Sequence, residues 1–179
     1  MFRWVQRFTP LLVETARPCR HAVGGRWLVD ETYVKVSGVW RYVYRAVDED
    51  GQVIDVYVSA RRDITAARRF FTTAITAHGK PDEVVTDLAP ALESMIEELL
   101  PDSFHNIEQY ANNRIESNHG RLKARLRRVR GLEADRTAQA VIAGHAFIQN
   151  VRRGHDELGV EAHPHLRTAA AFGELTDVI

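Results

Sequence analysis

Three strand-like segments near the start of the chain constrain its fold more than any other feature. They lie at about 26–36, 39–48 and 52–60. All three are rich in Val, Ile, Tyr and Trp, residues that strands favour. Ser37-Gly38 separates the first two segments and Asp50-Gly51 the last two, and both dipeptides are typical of tight hairpin turns. The sequence therefore predicts an antiparallel meander of three strands.

Helices and short strands alternate in the rest of the chain. A helix is predicted over 63–78, with Asp63 as its N-cap and a stop at Gly79. The further elements are a strand at 83–86, a helix at about 88–99, a strand near 104–108, a basic helix at 113–130, a helix at about 135–153 and a short helix at 167–175. This order predicts an α/β fold with one mixed five-stranded sheet flanked by helices. It is the order of a ribonuclease-H-like (retroviral-integrase-like) fold.

Three acidic residues, Asp30, Asp87 and Glu116, lie on the elements that a two-metal site requires. Asp30 lies within the first strand, in phase with Leu28 and Val34, where an unpaired carboxylate is costly. Asp87 directly follows the fourth strand, and Glu116 opens the basic helix. Carboxylates that together hold Mg²⁺ ions are common in phosphodiester chemistry on nucleic acids. The sequence predicts all three as metal ligands and catalytic residues.

Each acid also has a purely structural interpretation. Asp87 stands at a strand-to-helix junction, where Asp is a frequent N-cap. Glu116 has the spacing of a capping box with Asn113. Asp30 is compatible with a buried salt bridge. The shared order and element types of the three acids favour the metal site.

The basic helix at 113–130 places a row of cations beside Glu116. Its predicted buried stripe consists of Ile115, His119, Leu122, Leu126 and Val129. The predicted DNA-binding residues are Arg114, Arg121, Lys123, Arg127 and Arg130. Such a row can bind the phosphate backbone of double-stranded DNA without reading its bases. The alternative is that these residues form a solvent-exposed helix face with no partner. His119 is expected either to pack or to support Glu116 through a hydrogen bond.

Composition excludes several classes of protein. The 179 residues include 24 Lys and Arg against 24 Asp and Glu, so net charge alone names no partner. The one cysteine, Cys19, excludes an internal disulfide and fits a reducing cytoplasm. No apolar run approaches the ~20 residues of a membrane span, so no membrane association is expected.

Four segments of the chain match blocks of one known family. They are RWLVDETYVKVSGVWRYVYRAVDEDGQVIDVYVS, VVTDLAP, QYANNRIESNHGRLKARLRRVRGL and AGHAFIQNVRRGH. They resemble the catalytic domain of bacterial DDE transposases of the insertion-sequence-six family, particularly its actinobacterial-type members. The resemblance implies that Asp30, Asp87 and Glu116 are the DDE triad. It also implies Mg²⁺-dependent cleavage and joining of DNA at insertion-sequence ends by a homo-oligomer, with Mn²⁺ able to substitute.

The chain departs from that family in two main respects. The spacing from Asp87 to Glu116 is shorter than in better-known members, which predicts an abbreviated connection. Residues 1–25 resemble only the trailing helix of the family's N-terminal helix-turn-helix region. The predicted organisation is therefore a remnant of a DNA-binding region and linker at 1–25, a DDE catalytic domain at 26–155 and a C-terminal tail at 156–179. The chain is accordingly expected to be a truncated transposase.

Two alternative functions stay open on the sequence. One is a ribonuclease-H-like nuclease, which would cut DNA without joining it. The other is a non-catalytic truncated transposase that inhibits the full-length protein by co-assembly. Only a transposase, and not a nuclease, would make joined DNA product. An inhibitor would suppress transposition even when all three acids of the triad are replaced.

Overall fold

One mixed sheet of five strands organises the chain. The computed structural model describes residues 2–87, 89–107, 120, 122–124, 126 and 132–177. The strands are β1 (Arg26–Val36), β2 (Val39–Asp48), β3 (Val53–Ser59), β4 (Glu83–Val85) and β5 (Phe104–Asn106). Their order in the sheet is β3-β2-β1-β4-β5. The first three strands pair antiparallel, and β4 is parallel to both β1 and β5, which confirms the predicted mixed sheet.

Helices cover both faces of the sheet. Those with described bounds are α1 (Phe2–Thr15), α2 (Ile64–His78), α3 (Pro90–Leu99), α4 (Asp135–Arg153) and α5 (Arg167–Thr176). The described residues of the basic segment, Gly120, Leu122–Ala124 and Leu126, are helical as well. Within the described part of the chain, no helix is both long and apolar enough to cross a bilayer.

Both predicted hairpin turns are present. Ser37 and Gly38 have φ angles of 46° and 78°, so both residues of the first turn occupy the left-handed region. Two consecutive residues of this kind match the right-handed twist of the flanking strands. Gly51, with φ of 87°, closes the second turn at the predicted position.

Alternation along β1 decides which core each side chain joins. Trp27 and Val29 pack with α2 and α3 on one face of the sheet. Leu28 and Val34 pack on the other face with α4 and with Leu122 of the basic segment. The predicted interior row of β1 is therefore confirmed, and Asp30 lies in phase with it.

Two side-chain amides on α4 bind the outer edge of β3. Gln139 accepts a hydrogen bond from the Val58 N–H at 2.7 Å and donates to the Val56 carbonyl at 2.9 Å. Asn150 accepts from the Val53 N–H at 2.8 Å and donates to the carbonyl of the same residue at 2.9 Å. These amides occupy backbone groups that an edge strand would otherwise leave open to another chain.

The two ends of the chain pack together in a third core. Its buried members include Ala16, Phe147, Leu158, Ala171 and Leu175. Thr9 of α1 lies so close to α4 that a Cβ on Gly144 would stand 2.7 Å from its Cγ2. Both segments therefore rest on α4. The division of the chain at 1–25, 26–155 and 156–179 stays a prediction.

Candidate active site

The parallel pairing of β1 with β4 brings Asp30 and Asp87 to the same end of the sheet. Leu28 is opposite Val85 in this register, and each aspartate lies two residues further along its strand direction. Thr86 continues the extended chain, because its N–H bonds to the Asn106 carbonyl of β5 at 3.1 Å. Neighbouring strands lie roughly 4.8 Å apart, so this register sets the two aspartates near each other.

The electrostatics of Asp87 agree with this proximity. Partial burial of its carboxyl group raises the pKa of Asp87 above its ordinary value, and the negative charge of Asp30 raises it further. The guanidinium of Arg62 acts in the opposite direction. Asp30 accepts a 2.7 Å hydrogen bond at Oδ1 from the backbone N–H of Glu31. A carboxylate that is held beside another negative charge is stabilised by a bound cation.

The N-cap interpretation of Asp87 is wrong. α3 begins at Pro90, two residues later than the predicted start, and its N-cap position is Ala89, without a side-chain cap. The turn before the helix closes through the main chain, where the Ala89 N–H donates to the Asp87 carbonyl at 2.7 Å. Asp87 therefore precedes the N-cap position, and its carboxyl group interacts instead with the backbone N–H groups of Ala89 and of Asp87 itself, which opposes the rise in its pKa.

The third predicted acid, the histidine expected to support it and four of the five predicted DNA contacts lie outside the described residues. They are Glu116, His119, and Arg114, Arg121, Arg127 and Arg130. The capping-box interpretation of Glu116 lies there too. Among the residues that the structure describes, no three His, Cys, Asp or Glu side chains form a metal-binding group. The described part of the site is therefore the carboxylate pair of Asp30 and Asp87.

The described residues of the basic segment agree with its predicted faces. Leu122 is fully buried among the apolar residues beneath α4, and Leu126 packs against the same core. Lys123 points the other way, with its ammonium nitrogen 4.7 Å from the ring centre of Tyr33. A cation at this distance over an aromatic face is held there by the ring quadrupole.

Tyr33 and Lys123 form one wall of an open groove of about 600 Å³ beside β1. Trp40 stands edge-on to Tyr33, with 4.9 Å between the ring centres. The Lys35 ammonium nitrogen lies 5.0 Å from the Trp40 ring, and Glu133 also lines the groove. The ammonium groups of Lys35 and Lys123 therefore lie on a partly exposed aromatic surface. Tyr33 and Lys35 are three and five residues after Asp30 in β1.

Sequence reasoning missed a second acid in β1, directly after Asp30. Glu31 forms an ion pair with Arg62, which lies between β3 and α2, and only 6% of the Glu31 side chain is exposed. It lies opposite Tyr44 of β2 and on the other face of the sheet from Asp30. Burial raises the pKa of Glu31, and the Arg62 charge opposes that rise. The signal in the sequence was a second acid directly after Asp30 in an apolar strand.

Known proteins similar to this chain place it in one family. Residues 24–155 match a family model described as a DDE domain. The chain belongs to the DDE transposase family. Over 160 residues it is 34% identical to the transposase for the insertion-sequence-like element IS431mec of Staphylococcus aureus, covering 86% of this chain and 71% of the relative. The Staphylococcus aureus transposase for IS257 in transposon Tn4003 gives the same identity and coverage.

Solved structures with the same architecture come from retroviral integration. A simian T-cell lymphotropic virus intasome matches with a TM-score of 0.56 and 19% identity, over 74% of this chain and 50% of that chain. The HTLV-2 integrase catalytic core domain in complex with magnesium matches with a TM-score of 0.50 and 16% identity, over 74% of this chain and 88% of that chain. This DDE transposase domain thus spans about half the length of the intasome chain. The likeness confirms the predicted ribonuclease-H-like fold, and the family match confirms an insertion-sequence-six transposase domain.

Proposed function

We propose that this DDE transposase domain carries out metal-dependent cleavage and strand transfer of double-stranded DNA at the ends of an insertion sequence. The observation that carries the proposal is the convergence of Asp30 and Asp87. The pairing of Leu28 with Val85 brings together two carboxylates from separate parts of the chain. Two neighbouring carboxylates, one within β1 and one just past the carboxyl end of the parallel strand β4, suit polynucleotidyl transfer.

Asp30, Asp87 and Glu116 are the proposed ligands of Mg²⁺, with Mn²⁺ as a substitute. The donor chemistry fits, because Mg²⁺ takes one or two carboxylates and completes its coordination with water and substrate phosphate. Asp87 is exposed, which leaves its oxygens accessible to such an ion. When bound, the metal activates the attacking oxygen and stabilises the leaving oxygen. The HTLV-2 core domain, which shares the fold, was solved with magnesium.

The basic segment is proposed to hold the DNA backbone beside these carboxylates. Lys123 supports this role, since the Tyr33 ring holds its ammonium group at a partly exposed position next to β1. The remaining proposed DNA contacts are Arg114, Arg121, Arg127 and Arg130. His119 is proposed to support Glu116. Backbone contacts of this kind set the position of a duplex without reading its sequence.

The proposal extends to the setting in which the domain works. We propose an actinobacterial-type member that acts as a homo-oligomer in the bacterial cytoplasm. The assembly is supported by the retroviral proteins of the same fold, one solved as an intasome and one in a trimeric form. The cytoplasm is supported by Cys19, since a single cysteine forms no internal disulfide.

The test is strand transfer with supplied DNA ends that carry a free 3′-hydroxyl group. Wild-type protein is expected to make joined product in Mg²⁺ and Mn²⁺, and Asp87→Asn to make none. Asp82→Asn is the matched control, because Asp82 is an exposed aspartate at the opposite end of β4. Joined product from Asp87→Asn would overturn the proposal. Cut but unjoined DNA from the wild type would favour the nuclease instead.

A further inference from the structure

Glu31, in the middle of β1, forms an ion pair with Arg62 next to the proposed metal ligand Asp30. The Glu31 side chain is almost completely buried, with 6% exposed, whereas 52% of the Arg62 side chain is exposed. Glu31 follows Asp30 directly, and its own N–H donates to the Asp30 carboxylate. The buried acid is therefore fixed by the strand, and the arginine reaches it from the connection between β3 and α2.

Arg62 also acts on Asp87. Its guanidinium counters the rise in the pKa of Asp87 that burial and Asp30 cause. The charges of Asp87 and Asp30 in turn add to the raised pKa of Glu31, after the larger effect of its burial. One arginine therefore lies within electrostatic range of two carboxylates, Glu31 and Asp87, and forms its ion pair with Glu31.

An arginine so placed is a potential competitor of a metal ion. A guanidinium presents a planar fork of donors that fits a carboxylate in a bidentate manner. An arginine paired with the exposed Asp87 would occupy the oxygens that a divalent cation needs. Glu31 offers the arginine a carboxylate on the opposite face of the sheet from Asp30.

We propose that Glu31 is a positioning residue that holds the Arg62 guanidinium away from Asp87, so that the Asp87 carboxylate stays accessible to a divalent cation. This inference rests on the proposed function, because it takes Asp30 and Asp87 as ligands. It assigns no contact with DNA or metal to Glu31 itself. A purely structural ion pair would affect the stability of the fold and leave the metal affinity unchanged.

The test is a double-mutant cycle read out by the affinity for Mn²⁺ and Mg²⁺ in calorimetry. Glu31→Gln keeps the size of the side chain but releases the arginine. We expect its metal affinity to fall about threefold to tenfold, the range of a partly exposed ion pair. Arg62→Gln removes the competitor, so the double variant Glu31→Gln/Arg62→Gln is expected to bind metal within about twofold of wild type.

Two control variants match these changes in chemistry. Glu83→Gln removes the acid of another partly buried ion pair, that with Arg26, at the far end of β4. Arg61→Gln removes the exposed neighbour of Arg62 from the same connection. Both are expected to keep the wild-type metal affinity. Urea unfolding of every variant measures stability separately, so that a loss of folded protein is not mistaken for a loss of affinity.

The outcomes separate the inference from the proposed function. Unchanged affinity in Glu31→Gln, or a double variant as weak as Glu31→Gln, overturns the positioning role. Weak binding in Glu31→Gln that the second substitution restores supports it, since rescue is not expected of a merely structural pair. If the wild-type protein binds no metal, or binds it equally well after Asp87→Asn, the proposed ligand pair is overturned, and the positioning role with it.

Discussion

Leu28 of β1 and Val85 of β4 are direct neighbours in a parallel pairing, and this register brings Asp30 and Asp87 to one end of the sheet. Neither local pattern contains that information. The first aspartate belongs to a hairpin strand, and the second follows a strand of three residues reached through α2. Proximity then appears in the electrostatics, where burial and the Asp30 charge together raise the pKa of Asp87.

Replacing Asp30 by Asn is expected to remove activity without destabilising the fold. Asn keeps an acceptor for the Glu31 N–H but removes the charge that raises the pKa of Asp87. Strand transfer should fall by at least about 10³-fold, since metal-assisted charge stabilisation is worth several kcal/mol. Urea unfolding at pH 7 without divalent cations should show a stability at least equal to wild type. A large loss of stability would contradict this view of Asp30 and indicate a structural carboxylate.

Lys123→Gln is expected to weaken DNA binding uniformly across sequences. The Lys123 ammonium, held over the Tyr33 ring, is proposed to contact one phosphate. Its removal should lower the slope of log affinity against log salt by about one. Filter binding or fluorescence anisotropy on unrelated duplexes measures this slope. Lys80→Gln, which changes an exposed lysine between α2 and β4, should leave the slope unchanged. A slope that Lys123→Gln does not alter would remove this residue from the interface.

Asn150→Leu is expected to destabilise the fold strongly. The Asn150 side chain is completely buried and makes hydrogen bonds to both backbone groups of Val53. Leu would leave the Val53 N–H without its partner, at about 1–3 kcal/mol, whereas the Val53 carbonyl keeps the 2.9 Å bond that Arg20 donates. Urea unfolding should therefore show a loss of roughly 1–3 kcal/mol. Gln139→Leu, which breaks two similar bonds at a less buried position, should cost less. Equal losses would contradict the role assigned to burial.

The dependence of stability on pH should contain two opposed contributions from the region between α1, α2 and α4. Burial, with smaller effects from Arg20 and Arg17, lowers the pKa of His78 to about 4 from its ordinary 6.5. The unfolded chain therefore binds a proton that the folded chain does not, and stability is lost as the pH falls through this range. Burial raises the pKa of Asp156 to about 6. Its contribution is present at low pH and is lost as the pH rises through about 6.

Single variants should separate these two contributions. His78→Gln is expected to lose less stability than wild type between about pH 7 and pH 5, because its acid-sensitive group is gone. Asp156→Asn is expected to lose more over the same interval, because the opposing group is gone. Urea unfolding at the two pH values measures both differences. If both variants lost more stability than wild type over this interval, or both lost less, the opposite signs assigned to His78 and Asp156 would be contradicted.

The predicted elements that the structure confirms are those set by local patterns. β1 and β2 have the predicted bounds, and α2 begins after the predicted N-cap Asp63, whose Oδ1 accepts from the Ala66 N–H at 2.9 Å. Strand alternation, hairpin turns and caps depend on neighbouring residues, so a single sequence contains them. The start of α3 differed because Pro90 can begin a helix and Ala89 precedes it.

Contacts between distant residues could not be predicted in the same way. The pairing of Glu31 with Arg62 depends on where the connection after β3 passes the middle of β1. The bonds from Asn150 to Val53 depend on how α4 lies along the edge of the sheet. Each needs two elements in a fixed orientation, and periodicity within one element does not give that orientation.

The sequence by itself determined the order of the strands and helices, the acids within β1 and directly after β4, and the family to which the chain belongs. These follow from local propensity and from matched residues, which are properties of the sequence alone. Only the tertiary structure decided which side chains meet. The parallel register sets Asp30 near Asp87, and the alternation of β1 sends Glu31 to the opposite face, toward Arg62. Both depend on packing between elements distant in the chain, because a carboxylate is paired or left open to a cation only once its neighbours are fixed in space.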